Sequence, residues 1–212
     1  MHQVASVDKL RRIAFQRVDY LRSVVVPFTV RDHPADRAVS FAAIELLNCW
    51  NGFSRAYYLS TCARWKWADG TKVTTTTRLS TTEDALTHAV HTCNKGLRKS
   101  SGPWSHAQEP VWFDSGVLLK LMTSVGASNT TALSSALSVP NRVLKDLTTV
   151  RNFLAHRAEN TAVKAKRIGA NYAAPPGSDP VEICLLNAPG RPQSVIADWC
   201  SELRLIFDIA TS

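Results

Sequence analysis

The sequence predicts an all-α protein carrying one small β-hairpin, and three observations carry that reading. Most of the 212 residues fall into segments whose apolar positions recur at helical spacing, parted by breaks at Pro27, at Gly102-Pro103 and over residues 173–180. Residues 40–59 are apolar on nearly every face, which marks a helix enclosed by others rather than one lying on a surface. Only residues 64–77 alternate and are β-branched, around Asp69-Gly70, the strongest short hairpin signal in the chain. The whole chain, 1–212, reads as a single helical domain with a hairpin insertion at 64–78.

Each element has its own justification. The first helix is expected from about Val4 to Val26, with Ile13, Val18, Leu21 and Val25 available for burial. Residues 27–36 connect it to the long buried helix, which runs to about Cys62. In the hairpin, Trp65 and Trp67 share one face and Arg64 and Lys66 the other. Two tryptophans there either pin the hairpin to the helices, the more favoured reading, or stack on RNA bases. Ser80-Thr81-Thr82-Glu83 has capping-box spacing and starts a helix to about Lys99. A helix over 111–125 uses Val117, Leu118, Leu121 and Val125, and a short one follows over 129–137. Pro140 suits the first turn of a late helix. After the loop at 173–180, residues 181–186 suit a short strand, and 192–209 form a closing helix packed through Val195, Trp199, Leu203 and Ile206.

Composition narrows the function. A hydrophobic content of 45% with 20% charged residues supports a packed core and argues against disorder. No run is long enough to span a membrane, and none has the flanks of a signal peptide. The five cysteines (Cys49, Cys62, Cys93, Cys184, Cys200) are scattered and sit mostly on apolar helical faces. They read as buried thiols of a cytoplasmic protein. A net charge of +8 favours an anionic partner. Arg157, Lys164, Lys166 and Arg167 cluster after His156, whereas Lys9, Arg11, Arg12, Arg17 and Arg22 read as a solvated helix face. His88, His91 and Cys93 lack a fourth ligand, so a metal site there is disfavoured. No nucleophile elbow, phosphate-binding glycine loop or dinucleotide fingerprint occurs. Any enzyme here is expected to use acid–base chemistry without a metal or other cofactor.

The segment that carries such chemistry is Arg151-Asn152-Phe153-Leu154-Ala155-His156. At about 100° per residue, Leu144, Leu147, Leu154 and Ala158 fall on one stripe with Arg151 in its middle. A cation on a core face needs a carboxylate, a phosphate or an open cleft. Asn152 and His156, four residues apart, can share a pocket. A second polar line crosses the buried helix at Glu45, Asn48, Gly52 and Arg55. It is expected to meet the Arg151 stripe, with Gly52 admitting a close backbone approach. Arginine can brace two phosphoryl oxygens while histidine moves a proton near neutrality.

Arg151-Asn152-x-x-x-His156 near the end of a late helix resembles the signature of the HEPN superfamily. Glu45, Trp50, Phe53 and Arg55 likewise match a helix form seen in bacterial members. The resemblance implies a helical bundle and a metal-independent endoribonuclease of a bacterial defence or toxin-like system. In that reading His156 is the acid or base, Arg151 the phosphate clamp, and Asn152 orients the histidine or the phosphate. Glu45, Asn48 and Arg55 support the site, and Arg157, Lys164, Lys166 and Arg167 hold RNA. The resemblance further implies a homodimer whose two motif helices meet to complete the site, and a possible antitoxin or other regulatory protein. One branch carries a tyrosine two residues after the histidine for modification by its antitoxin; Ala158 stands there, which speaks against that regulation. The competing expectation is a non-catalytic module that binds RNA or a protein partner, with Arg151 merely bridging Glu45 and His156 merely capping the helix.

Overall fold

The structure, a computed structural model, describes residues 6–66, 70–97, 102–138 and 142–212. They form α1 (Val7–Val25), α2 (His33–Cys62), α3 (Thr82–Cys93), α4 (Ser115–Ser124), α5 (Thr130–Ser138), α6 (Val143–His156), α7 (Glu159–Arg167), a 3-10 turn (Ile168–Tyr172), α8 (Pro180–Leu185) and α9 (Val195–Thr211). The all-α class holds, and among the described residues there is no β-strand. None of the described helices is long and apolar enough to cross a membrane. The chain divides into two compact units, one of Met1–Ala14, Trp50–Val139 and Ile206–Ser212, the other of Phe15–Cys49 and Pro140–Leu205.

In the first unit, the second half of α2 supplies an aromatic core. Phe53 lies 5.9 Å from Trp50, 5.5 Å from Tyr57 and 4.4 Å from Phe207, ring centre to ring centre. Such offset pairs add to the area these rings bury. The polar edges of the core are satisfied: Tyr57 Oη donates to the Ala210 carbonyl at 2.9 Å and accepts from the buried Asn129 amide at 3.1 Å. Helix α3 packs on α4, and α4 on α5, through Leu118, Leu121, Met122 and Leu133, all fully buried. From α1 this unit buries Val7, Leu10 and Ala14, not the expected Ile13, which is 42% exposed because it falls off the 7–10–14 line.

Three boundaries here differ from expectation. The box that starts α3 pairs Thr81 with Asp84, not Ser80 with Glu83, and each side chain accepts from the other's backbone N–H. Helix α3 ends at Cys93, short of the expected position 99; residues 98–101 lie outside the described set. Helix α4 begins at Ser115, later than expected, since the Asp114 carboxylate accepts from Gly116 and Val117 N–H and caps it there. Among the described residues the expected hairpin is represented by one antiparallel bridge, Lys66 to Lys72, with Val73 N–H donating to Trp65 O at 2.9 Å. Past that point the threonines pair elsewhere: Thr76 N–H donates to Val125 O at 3.0 Å, and Thr74 O accepts from Ser128 N–H at 2.9 Å. Trp65 is buried, edge-on to Tyr57, so it anchors the segment and is not free to stack on a base. Trp67 lies outside the described residues. Gly126 closes this turn at φ +59, and a Cβ on it would meet the Thr76 hydroxyl at 2.1 Å. Only glycine fits both demands.

In the second unit, Val18, Leu21 and Val25 of α1 are buried as expected. Helix α2 starts at His33, inside the expected connection, because the Asp32 carboxylate accepts from Ala35 N–H at 2.7 Å and Pro34 tolerates a first turn. Its expected burial on all sides is not met. Phe41 and Asn48 are exposed, as is Gly52 further along the same helix in the first unit, and no atom lies within 4 Å of where a Gly52 Cβ would stand. Residues 181–186 are not a strand. Pro180–Leu185 form α8, opened by a capping box between Asp179 and Glu182 with Pro180 in the first turn, and Leu186 caps its end. The closing helix α9 starts at Val195, after Pro192, and buries Val195, Trp199 and Leu203. Helix α6 packs on α7, and α7 on α8. Helix α7 and the 3-10 turn fall where the sequence pattern predicts no element. Pro140 and Asn141 lie outside the described residues.

Of the cysteines, Cys49, Cys62, Cys184 and Cys200 are buried and Cys93 is exposed, against expectation, at the end of α3. Burial pushes the Cys49 and Cys62 thiols up to about 11 and Cys200 to about 12. These are inert packing groups.

Candidate functional site

Helix α6 buries Val143, Leu147, Val150 and Leu154, flanked by Asp146 and Phe153. The expected stripe through Leu144 and Ala158 is therefore displaced. Leu144 is only half-buried, and Ala158 is exposed beyond the helix end. The reason is that Val150 and Phe153 offer more apolar surface one step around the wheel. Arg151 consequently lies at the edge of the buried face, not in its middle.

Arg151 is half-buried all the same. Its Nε is enclosed and makes no hydrogen bond, and Nη1 donates to the neighbouring Asn152 Oδ1 at 3.3 Å. Among the described residues no carboxylate pairs with it. Glu45 does not position it: Glu45 accepts from Asn48 Nδ2 at 2.9 Å and faces Arg17 Nη2 at 3.9 Å. The cation that reaches Glu45 comes from α1. Arg55 likewise has its own partner within the first unit. Its Nε and Nη2 donate to Glu109 at 2.6 and 2.9 Å. Burial alone would raise the Glu109 carboxyl, but the hydrogen bonds from Arg55 and Trp112 and the Arg55 charge outweigh it and hold that group below the usual range.

Asn152 is half-buried and His156 exposed, and the His156 ring makes no hydrogen bond among the described residues. Five residues at about 100° each put Arg151 and His156 about 140° apart around the helix. Lys145, Thr149, Asn152 and His156, by contrast, follow i, i+4, i+7, i+11 spacing and share one line. That line borders a cleft of about 670 Å³ lined by Arg142, Lys145, Asp146, Thr149, Lys164, Arg167, Ile168 and Asn171. Four of those side chains are cationic and one is a carboxylate. The carboxylate is occupied: Asp146 Oδ2 accepts from Tyr172 Oη at 2.9 Å and Asn171 Nδ2 at 3.2 Å. Trp199 Nε1 donates to Tyr172 Oη in turn, and Arg142 donates to Asn171 Oδ1. Burial pushes the Asp146 carboxyl above its ordinary value, against those two hydrogen bonds and the nearby Arg142 and Lys145 charges.

Of the expected RNA-holding residues, Lys164 and Arg167 line the cleft and Lys166 does not; all three are exposed. Arg157 ends α6 in the left-handed conformation, φ 47, its N–H donating to Phe153 O at 2.7 Å and its guanidinium 5.8 Å over the Phe153 ring. The sequence reading missed Arg142, Lys145, Thr149 and Asn171, although the helical spacing of Lys145 and Thr149 to His156 was a visible signal. Away from this site, His88 Nδ1 lies 3.1 Å from Tyr58 Oη and His91 is edge-on to Trp104. Among the described residues no group of three or more His, Cys, Asp or Glu side chains is gathered as a metal would need.

No protein-family model, curated protein or solved structure matches this chain.

Proposed function

We propose that this chain is a metal-independent endoribonuclease, with His156 as the proton-transfer group, Arg151 as the phosphate clamp and Asn152 orienting the histidine or the phosphate. The observation that supports the reading is the half-buried Arg151 guanidinium, its Nε enclosed and unpartnered and no carboxylate paired with it among the described residues. A half-buried cation without a counter-charge is costly to keep unless an anion meets it. In the reaction the ribose 2′-oxygen attacks the adjacent phosphorus while an imidazole takes its proton. The bond from phosphorus to the 5′-oxygen breaks, that oxygen is protonated, and a 2′,3′-cyclic phosphate remains. Arg151 stabilises the extra negative charge in between. Because Arg151 and His156 diverge by about 140°, one copy is poorly placed to present both to one phosphate. A two-fold homodimer pairing Arg151 of one copy with His156 of the other answers that, and supplies the acid as well as the base. The defence or toxin-like role and a regulatory partner rest on the resemblance to HEPN proteins, and the cytoplasmic setting on the scattered cysteines.

The exposed His156, which no hydrogen bond orients among the described residues, favours a second reading: a module that binds RNA without cutting it. Incubation with total RNA in EDTA separates the two. The wild type is expected to leave 2′,3′-cyclic ends, and His156→Ala to abolish cleavage while binding persists. Full activity in His156→Ala, or a requirement for added magnesium, would remove the catalytic assignment.

A further inference from the structure

Within the second unit, α7 folds back on α6, and the cleft beside this helical pair concentrates positive charge. Arg142 and Lys145 come from the start of α6, Lys164 and Arg167 from the end of α7. The sole carboxylate among its lining residues, Asp146, is 2% exposed and covered by Tyr172 and Asn171. The four cations make no ion pair among the described residues, whereas Arg11, Arg31, Arg191 and Arg204 are each matched to a carboxylate. Arg142 is nevertheless held in place, through Asn171, by the same buried network that fixes Asp146. A fixed guanidinium and three open cations around a concave floor form a receptor for phosphates. The cleft is also directional. Lys145, Thr149, Asn152 and His156 run along one line of α6 for about 16 Å, at 1.5 Å per residue, from the cleft to the helix end. Asn171 and Thr149 add uncharged polar contacts between the cations.

We infer that the α6–α7 cleft is the track of a single-stranded RNA backbone, with Arg142, Lys145, Lys164 and Arg167 taking successive phosphates and the strand passing along α6 toward His156. This rests on the RNA-directed function proposed above and adds to it the path by which the strand reaches the site. The track selects single-stranded polynucleotide over a free mononucleotide, because the cations are spread along two helices instead of meeting at one point.

The test uses the full chain and a labelled single-stranded RNA oligonucleotide in EDTA, with affinity measured by anisotropy over a range of salt. Lys145→Ala/Arg167→Ala is compared with Lys9→Ala/Arg12→Ala, which removes equal charge from exposed positions on α1. The cleft pair is expected to lose tenfold or more in affinity and to flatten the salt slope by about 1.4, at roughly 0.7 per phosphate contact on a single strand. The α1 pair is expected to leave the slope in place. Asp146→Asn removes the one negative lining charge and is expected to tighten binding severalfold, a gain that misfolding cannot imitate. Equal losses from the two double variants, or a tighter grip on duplex DNA through the cleft, would overturn the inference. Cleavage keeps the two proposals apart. A cleft variant with raised KM and unchanged kcat supports the track. RNA bound in the cleft by a wild type that never cuts leaves the track standing and removes only the nuclease. Cleavage that the cleft pair leaves intact at every RNA concentration removes only the track.

Discussion

Arg55 on α2 and Arg151 on α6 are both half-buried arginines on long helices, and their surroundings treat them in opposite ways. In the first unit the guanidinium of Arg55 meets Glu109 through two donated hydrogen bonds, and Glu109 is held ionised in return. In the second unit α6 carries both a cation and a buried carboxylate, yet the two stay apart. Asp146 is served by the neutral donors Tyr172 and Asn171, while Arg151 keeps a bare Nε. Two turns differ as well: the left-handed one after α4 is filled by Gly126, the one after α6 by Arg157. The Arg55 charge is settled locally and the Arg151 charge is left open, which is where a site is to be sought.

The largest effect that could break this contrast is expected at Arg55. Its removal in Arg55→Ala strands the Glu109 carboxylate, whose side chain is 3% exposed, and should lower stability by about 3 kcal/mol in chemical unfolding. The pH dependence follows from the same pair. The folded-state value of Glu109 is depressed, so its contribution is full above the unfolded carboxylate value and is lost as pH falls through the folded one. In Arg55→Ala that acid-side loss should flatten. A change below about 1 kcal/mol, the size of an exposed pair, would mean that Arg55 is as unspent as Arg151.

Next in size is the pair of left-handed positions. Gly126→Ala should cost about 2 kcal/mol from the conformation alone, and the new methyl must also displace the Thr76 hydroxyl from Val125 O. Arg157→Gly is expected to leave stability level or raise it by up to about 1 kcal/mol, the relief of strain offset by a freer unfolded chain. Thermal melts of the two variants should therefore move in opposite directions, or one should move and the other not. Two equal losses would show that Arg157 is as much a structural fixture as Gly126.

What the sequence disclosed and withheld follows from the range of the interactions. Helices were legible because their spacing and caps are local, down to the start of α3 within a residue or two. The signals that set α8 and the start of α4 are also local: Asp179-Pro180-x-Glu182 and Asp114 are caps that stand beside longer apolar runs. Facing was harder. The buried side of α6 was misjudged because Val143, Val150 and Phe153 compete with Leu144 and Ala158, and packing by neighbouring helices decides such a contest. Partners were out of reach altogether. Nothing in the pattern pairs Arg55 with Glu109, 54 residues away, or Glu45 with Arg17, which takes the place expected for Arg151. The cluster of Lys164 and Arg167 near the motif was visible, but its joining with Arg142 and Lys145 required the turn between α6 and α7.

The smallest expected change in stability is also the sharpest test of the contrast. Arg151→Met keeps an unbranched chain of similar reach along the edge of the buried face while deleting the guanidinium. If that cation is embedded without a partner, its loss removes a desolvation cost and sacrifices one long hydrogen bond to Asn152. The midpoint of unfolding should then stay within about 1 kcal/mol of wild type or rise. Cleavage of RNA should fall by a factor of 100 or more, the scale on which a single oxyanion-stabilising donor acts, and affinity should fall less. Arg55→Met offers the mirror image, a large loss of stability with no specific loss of rate per folded molecule. A drop of about 3 kcal/mol in Arg151→Met, matching Arg55, would place Arg151 among the structural charges, since a group that holds the fold by that much has a counter-charge and is not waiting for one. A stable variant with undiminished cleavage would remove Arg151 from the chemistry and leave the cleft cations as the groups that meet the phosphate.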